Sequence, residues 1–457
     1  MKATDRDAFS DSDQAEYLHE KALTRHEELW HTRAQAVGHA PATYSLIGEH
    51  TDRFGGVVLM GLSHQRAAVA VSARDDQLIA VDATTPAGRL SGQVSWSALT
   101  EVARASESPH PGAPFGADAE QPGPRVRAGD SPADPGAELA LEVSAVLWSM
   151  IHRQLASREL TGLSVTIASE VPEGVGLGSG AAVTTALAVG LAQLDPTFVD
   201  DPPTRTKIAE ALSASSQLSG QHATLRARYF AALRGQAGKL AVIDYADNSV
   251  AMIEVPSSAN YQTVLAYPTR TYDAAAALHV LHRQDDLIAR AEQSFSVPSL
   301  RQLPDAAVRV AQLVAAVHEV LGEDQAPGLK DTRAWLGFWD RETRRAQQAA
   351  RALRTQNWAE FLDVLNESQA DITASYGLPG AGRDAPAAGL AKQLAATGVR
   401  SVRCAAAGLT QAVLAVVSSP ILPAVGAAAG EHEQDYCTVA LSPGYPGAGR
   451  AIPTATG

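Results

Sequence analysis

The segment Val171–Leu194, "VPEGVGLGSGAAVTTALAVGLAQL", restricts the fold more than any other. It follows "LSVTIASEV" (Leu163 to Val171), a strand-like apolar run, and leads directly into an apolar helix. Glycines stand at 174, 176, 178 and 180, in the turn between the two. Glycine lets backbone approach an anion closely, and free N–H groups at a helix start carry partial positive charge. A nucleotide phosphate is the natural guest, held by Gly174, Gly176, Leu177, Gly178, Ser179 and Gly180. No Gly-Lys-Ser/Thr follows, and the spacing matches a dinucleotide fingerprint only loosely. A flexible turn whose small residues permit tight helix packing accounts for the pattern equally well.

The flanking chain places this unit in a larger α+β protein. Residues 13–37 read as a helix, with Leu18, Leu23 and Leu29 among charges. "GVVLMGLS" and "AAVAVSARDDQLIAVDATT" read as strands, broken by a turn at Arg74–Gln77. "ELALEVSAVLWSMIHRQLA" is an amphipathic helix, and "KLAVIDY" and "YQTVLAYPT" are strand-like. Beyond residue 300 helices dominate. In "PDAAVRVAQLVAAVHEVLG" Val310, Val314, Val317 and Leu321 share a face, and Asp305 is placed to cap the start. "QAVLAVVSS" and "YCTVALSP" close the chain as strands. Helices segregate from strands, which favours an α+β architecture over a regular βαβ repeat.

At 457 residues the chain exceeds what one core usually holds, so two lobes are expected. The expected boundaries are an N-terminal extension at 1–24, a first domain at 25–255 and a second at 256–457. Pro109 to Gly136 holds seven prolines and five glycines in 28 residues. Neither helix nor ladder tolerates that density, so 106–136 reads as a surface insertion.

Composition excludes several classes. A formal charge of −13 argues against nucleic acid or an anionic membrane as partner. No run of about 18 apolar residues predicts a membrane span, and the polar N-terminus lacks the core of a signal peptide. The two cysteines, Cys404 and Cys437, are too few for a disulfide scaffold and fit a reducing cytoplasm as buried thiols. A cytoplasmic protein is the expectation.

Three segments together resemble a known family. "LIGEHTDRFGG" (Leu46 to Gly56) closely resembles the galactokinase signature. "VPEGVGLGSGAA" is similar to the phosphate loop of the wider superfamily of galactokinase, homoserine kinase, mevalonate kinase and phosphomevalonate kinase. "SVPSLRQL" (Ser296 to Leu303) and "SPGYPGAGR" (Ser442 to Arg450) look like galactokinase segments in the expected order. The resemblance runs from about residue 25 to 450. It implies a two-lobed kinase fold with sugar and ATP meeting in a cleft between the lobes. It also implies that Glu49, His50 and Asp52 hydrogen-bond the hydroxyls of a sugar such as galactose. Carboxylate acceptors suit hydroxyl donors through charge-assisted bonds.

The catalytic half of the pattern is broken. Where galactokinases begin the signature Ala-Pro-Gly-Arg-x-Asn, this chain has Ala40-Pro41-Ala42-Thr43-Tyr44-Ser45. Thr43 thus stands at the arginine's place, and a neutral hydroxyl cannot replace a permanent guanidinium. The family's serine that binds magnesium corresponds to Gly180, and its magnesium-binding glutamate corresponds to Ser215. Losing both oxygens argues against a bound Mg²⁺. Counting back from "LAVIDY" puts the catalytic aspartate at Arg228; counting forward from Gly220 puts it at Ala227. No Asp or Glu occurs between Glu210 and Asp244, and Arg228 reverses the charge a base would need. In "CAAAGLTQAVLAV" only Gly408 remains of a glycine-rich turn, and Thr410 and Gln411 would crowd a nucleotide.

The leading expectation is a galactokinase-like protein with strongly reduced or lost phosphotransfer and a retained sugar-binding or regulatory role. A working sugar 1-kinase with relocated groups, Asp244 being the candidate base, is the alternative. An inert protein partner is the third. "LHVLH" (His279, His282) lacks carboxylate or cysteine partners for a metal and reads as a helix face, as does "RETRR" (Arg341 to Arg345).

Overall fold

The computed structural model describes residues 11–97, 134–195, 197–219, 225–255, 261–269, 272–376, 378–430, 436–441 and 449–451. Most of the expected insertion, the acidic segment beyond Gly430 and most of "SPGYPGAGR" lie outside the described residues.

The chain is a mixed α+β fold built on two sheets, as its sequence pattern predicts. The first part holds α1 (Asp11–Trp30), β1 (Ala36–Ile47), β2 (Val57–Ala73), β3 (Leu78–Thr85) and β4 (Gly88–Ser95). There follow α2 (Pro135–His152), β5 (Leu163–Ser169), α3 (Ser179–Ala192), α4 (Pro202–Leu218), α5 (Arg226–Arg234), β6 (Lys239–Asp244) and β7 (Ser249–Glu254). The remainder is β8 (Tyr261–Pro268), α6 (Ala275–Phe295), α7 (Ala306–Leu321), α8 (Leu329–Arg354), α9 (Trp358–Asp371), α10 (Pro386–Ala396), β9 (Ser401–Cys404), β10 (Val413–Ser418), α11 (Leu422–Gly430), β11 (Tyr436–Leu441) and β12 (Gly449–Ala451).

The first sheet runs β12-β1-β2-β5-β3-β4, with β6 joining β2 and carrying β7; β3 and β5 pair in parallel, around the crossover through α2. The second sheet is β11-β8-β10-β9, wholly antiparallel. β12 returns the end of the chain to β1.

Among the described residues three large apolar clusters fill the molecule, with a small fourth under α1 around Leu18 and Ala22. One buries α2, α3, α4 and α5 on the first sheet, through Val146, Leu187, Leu212 and Phe230. Gly38 on β1 admits α3 closely, since a Cβ there would collide with the backbone of Ala186. A second packs α6, α7, α8 and α10 on the second sheet, around Leu287, Val314, Phe338 and Leu390. The third joins the two, with Tyr44 and Leu46 of β1 meeting Leu353 of α8, Phe361 of α9 and Leu414 of β10. The seam between the sheets is therefore apolar and tight, and it fixes the polar groups at its edge.

Several local expectations change. The first helix ends at Trp30, His31 takes φ 53°, and residues 36–37 already belong to β1. β2 runs unbroken from Val57 to Ala73, while the turn at Arg74–Gln77 stands where the sequence placed it. Asp305 takes φ 53° and makes no side-chain cap on α7; its backbone carbonyl accepts from Val308 and Arg309 instead. Leu321 is 48 % exposed, off the buried stripe of Val310, Val314 and Val317. Cys404 is buried but Cys437 is exposed. Among the described residues no helix is long and apolar enough to cross a membrane.

Candidate sugar and phosphate site

The signature residues occupy the turn between β1 and β2. Glu49 is fully buried. Arg403 Nη1 donates to its Oε1 at 2.9 Å and stands 2.7 Å from Oε2 at an angle that leaves Oε2 without a hydrogen bond. Burial, resisted by Arg403, raises the Glu49 carboxyl above its usual range. His50 takes φ 63°, and its Nδ1 pairs with the Tyr376 hydroxyl at 2.8 Å. That hydroxyl in turn donates to Gln284 Oε1 at 2.9 Å. His50 Nε2 is buried without a partner. Burial first, then the cations Arg228 and Arg403, hold the imidazole down to about 3, so it is neutral at pH 7. Asp52 Oδ2 accepts from the backbone N–H of Arg226 at 2.8 Å, at the start of α5.

Asp52 also lines a cavity of about 330 Å³, a size in the range of small-molecule sites. Arg53, Arg153, Glu210, Arg226, Tyr245 and Glu292 share its wall. Arg226 lies over the Tyr245 ring, 4.7 Å from its centroid, and Arg153 pairs with Glu210 at 3.5 Å. Arg53 Nη2 is buried with no hydrogen-bond partner. The sequence reading missed all six. Arg53 adjoins Asp52, but the others come from the residue after α2, from α4, α5 and α6, and from the residue after β6, and no spacing brings them together.

Gly178 is the N-cap of α3, with φ 67° and no side-chain cap. The Thr43 N–H donates to Leu177 O at 3.0 Å, so β1 and the turn touch directly. Across that contact reaches Arg228. Its Nη1 donates to Thr43 O at 2.5 Å and to Thr43 Oγ1 at 3.2 Å, and its Nη2 donates to Gly176 O at 2.8 Å. A Cβ on Gly178 would come within 2.6 Å of Arg228 Cδ, so glycine is required there twice over. Burial, partly offset by the more distant Glu49 and Asp52, lowers the Arg228 guanidinium to about 10. It stays charged at neutral pH. Thr43 and Arg228, placed at the two broken positions by counting, are thus neighbours. Ala227, the other count, is an apolar residue of the first core.

The other substituted positions follow suit. Ser215 Oγ donates to Leu212 O at 2.8 Å, within its own helix. Gly180 carries no side chain, but Glu142 Oε1 would lie 3.7 Å from a Cβ built there. Burial raises the Glu142 carboxyl to about 7. Thr410 Oγ1 lies 3.7 Å from a Cβ built on Gly176, and Gln411 accepts from the Ala387 N–H at 3.3 Å. Asp244 is held by Arg301 and accepts from the Ala246 N–H. Arg341 and Arg345 both bind Asp371. Among the described residues, no group of three or more His, Cys, Asp or Glu could hold a metal ion. The uncapped helix start and glycine turn fit a phosphate, whereas Gly180 and Ser215 do not fit Mg²⁺.

Two-sheet topology, glycine turn and signature together define a GHMP kinase fold. The family described as "GHMP kinases N terminal domain" matches residues 143–223, and "Galactokinase galactose-binding signature" matches residues 24–73. A galactokinase of Roseiflexus sp. (strain RS-1) is 26 % identical over 357 residues, 77 % of this chain and 76 % of that protein. Human galactokinase is 26 % identical over 366 residues, 79 % of each. The crystal structure of Lactococcus lactis galactokinase complexed with galactose superposes with a TM-score of 0.65 at 19 % identity, over 94 % of this chain and 99 % of that one. In its matched family models, its relatives and its fold the chain is similar to galactokinases of the GHMP kinase superfamily.

Proposed function

We propose that this protein binds a galactose-like sugar through the signature turn and does not transfer phosphate to it at an enzyme-like rate, acting as a sugar-responsive regulatory protein rather than a kinase. The observation that carries this reading is Arg228. A general base must be an anionic or neutral acceptor within hydrogen-bond reach of the reacting hydroxyl. Here a guanidinium fills that place, and it cannot accept a proton. Asp244, the candidate for a relocated base, is committed to Arg301. On the sugar side, Glu49 Oε2 is ion-paired with Arg403 but accepts no hydrogen bond, His50 Nε2 is buried without one, and Asp52 opens on the cavity. Buried polar atoms are normally satisfied, and sugar hydroxyls would supply the missing bonds.

A coupled ADP-release assay with galactose, ATP and Mg²⁺ tests the loss of catalysis. Turnover is expected to be at least about 10³-fold below a working kinase, which takes about 1–100 s⁻¹ as its range. Turnover within that range overturns the proposal. Calorimetry with galactose tests the pocket. Asp52→Ala is expected to weaken binding about 10-fold or more, as for loss of a hydrogen bond to a charged group. Parental affinity in that variant would place the sugar elsewhere. Among the described residues, Glu142 favours the alternative of a working sugar 1-kinase, because it sets a carboxylate beside the turn where the family's oxygen ligand is missing. If turnover is found and Glu142→Gln abolishes it, that alternative takes over. ATP binding, with or without Mg²⁺, and a protein partner belong to the same proposal; galactokinase relatives imply ATP use.

A further inference from the structure

We propose that Arg228 and the start of α3 receive the phosphate of a phosphorylated sugar, so that the ligand of this protein is an aldose phosphate rather than the free sugar. The inference rests on the sugar-binding reading above and adds the chemical class of the ligand.

Arg228 is 5 % exposed, and no carboxylate lies within 4 Å of it among the described residues; its partners are two carbonyls and a hydroxyl. A guanidinium has five N–H donors, and these bonds use three. Two donors remain for a ligand, and the positive charge has no counter-ion in contact among the described residues. A buried charge without a counter-ion is unfavourable unless an anion completes it. The two carboxylates that Arg228 feels from farther away are already engaged. Glu49 is paired with Arg403, and Asp52 accepts from the Arg226 N–H.

The surroundings suit a phosphate in particular. α3 is 14 residues long, and its N-cap, Gly178, lies against the Arg228 side chain. An uncapped helix start presents free N–H groups and partial positive charge. Ser45 adds an independent sign. It is 2 % exposed, its hydroxyl has no partner, and it lies two residues along β1 from Thr43, hence on the same strand face as the group that Arg228 holds. His50 Nε2, 6 % exposed as a residue and also without a partner, belongs to the signature turn that begins directly after β1. Its ring feels Arg228 more strongly than any other charge. One ligand with hydroxyls and a phosphate would satisfy the turn and the cation together. A nucleotide would satisfy only the phosphate side.

The test is calorimetric titration of the full chain with galactose, galactose 1-phosphate, galactose 6-phosphate, inorganic phosphate and ATP. A phosphate ester is expected to bind at least about tenfold more tightly than galactose, with affinity falling as salt rises. The two esters distinguish which position carries the phosphate. Arg228→Gln is expected to remove the difference between ester and free sugar, and Arg228→Lys to keep part of it, because lysine retains charge without the planar fork. Equal affinity for galactose and both esters overturns this inference and leaves the sugar-binding reading standing. So does a preference that survives Arg228→Gln. Arg228-dependent binding of inorganic phosphate or ATP as tight as that of the esters overturns the ligand class. If neither sugar nor ester binds, both readings fall. Should Arg228→Gln fail to fold, the comparison of ligands on the parent chain decides alone.

Discussion

Two arginines are buried near the signature turn, and their surroundings differ. Arg403, 2 % exposed, sits between Glu49 and Glu342, with Ser368 and the Leu46 carbonyl completing its bonds. Arg228 is nearly as buried but meets only neutral oxygens. Burial is the largest influence on both. At Arg403 the two carboxylates outweigh it and raise the guanidinium, while at Arg228 they do not and the value falls to about 10. The first arginine is a closed structural unit that fixes the signature turn to β9 and α8. The second is a buried charge with no carboxylate in contact among the described residues, beside the glycine turn. Equal burial with unequal compensation separates a residue that holds the fold from the one proposed above to receive a phosphate.

The comparison breaks most readily at Arg403. Arg403→Met strands Glu49 in the interior, while Glu342 keeps its pair with Arg345, and removing one partner of a buried pair typically costs about 3–5 kcal/mol. Arg228→Met strands no carboxylate. Its loss should stay near about 1–1.5 kcal/mol, the net worth of ordinary hydrogen bonds. Denaturant unfolding of both variants at pH 7 measures the contrast. Equal losses would mean that Arg228 is as structural as Arg403.

A second prediction uses His50, which feels both arginines. The folded imidazole sits at about 3 against 6.5 in the unfolded chain. Above pH 6.5 both states are neutral at this site, and the contribution is complete. Below it the unfolded state gains a proton that the folded state refuses, so stability is lost as pH falls, by up to about 1.4 kcal/mol per unit. Between pH 7 and 5 the parent should lose about 2 kcal/mol more than His50→Gln. His26 and His39 are lowered likewise but remain in both proteins, so they cancel. In Arg228→Met one repelling charge is gone, but burial, the larger cause, still holds the folded imidazole down, so the loss between pH 7 and 5 should be nearly unchanged. Unfolding midpoints at the two pH values decide; an unchanged slope in His50→Gln would remove His50 from this electrostatic centre.

The same electrostatics explain what the sequence made legible. β2, β5, β6, β8 and β10 carry apolar runs long enough to announce a buried strand, and the glycines before α3 announce a tight turn. β1 was not legible, although it carries Thr43 and Ser45. Pro41 lies inside it at a register irregularity, and proline ordinarily argues against a central strand. The substituted positions could be counted from the motifs, and two of them, Thr43 and Arg228, are in contact. The partners that give them meaning could not be counted. Arg403 and Glu49 are 354 residues apart, and only the folded seam between the sheets joins them. Arg53, next to Asp52, was in plain view, but a lone arginine in a turn carries no signal until a cavity is seen beside it.

The smallest predicted effect sharpens the view of the phosphate side. Ala406 and Ala407 both adopt φ 49°, in the loop Ala405–Gly408 that packs Ala405 against Gly176. A left-handed conformation costs an L-residue about 1–2 kcal/mol, and glycine avoids that while adding about 0.5–1 kcal/mol of backbone entropy. Ala406 belongs to none of the apolar clusters, so Ala406→Gly should stabilise the protein by a few tenths to about 1 kcal/mol. Ala407 is fully buried in the second cluster, and losing its methyl forfeits about 0.8 kcal/mol. Ala407→Gly should therefore be close to neutral. Thermal unfolding of the two variants side by side reads the difference. A destabilised Ala406→Gly would show that this loop is held without strain.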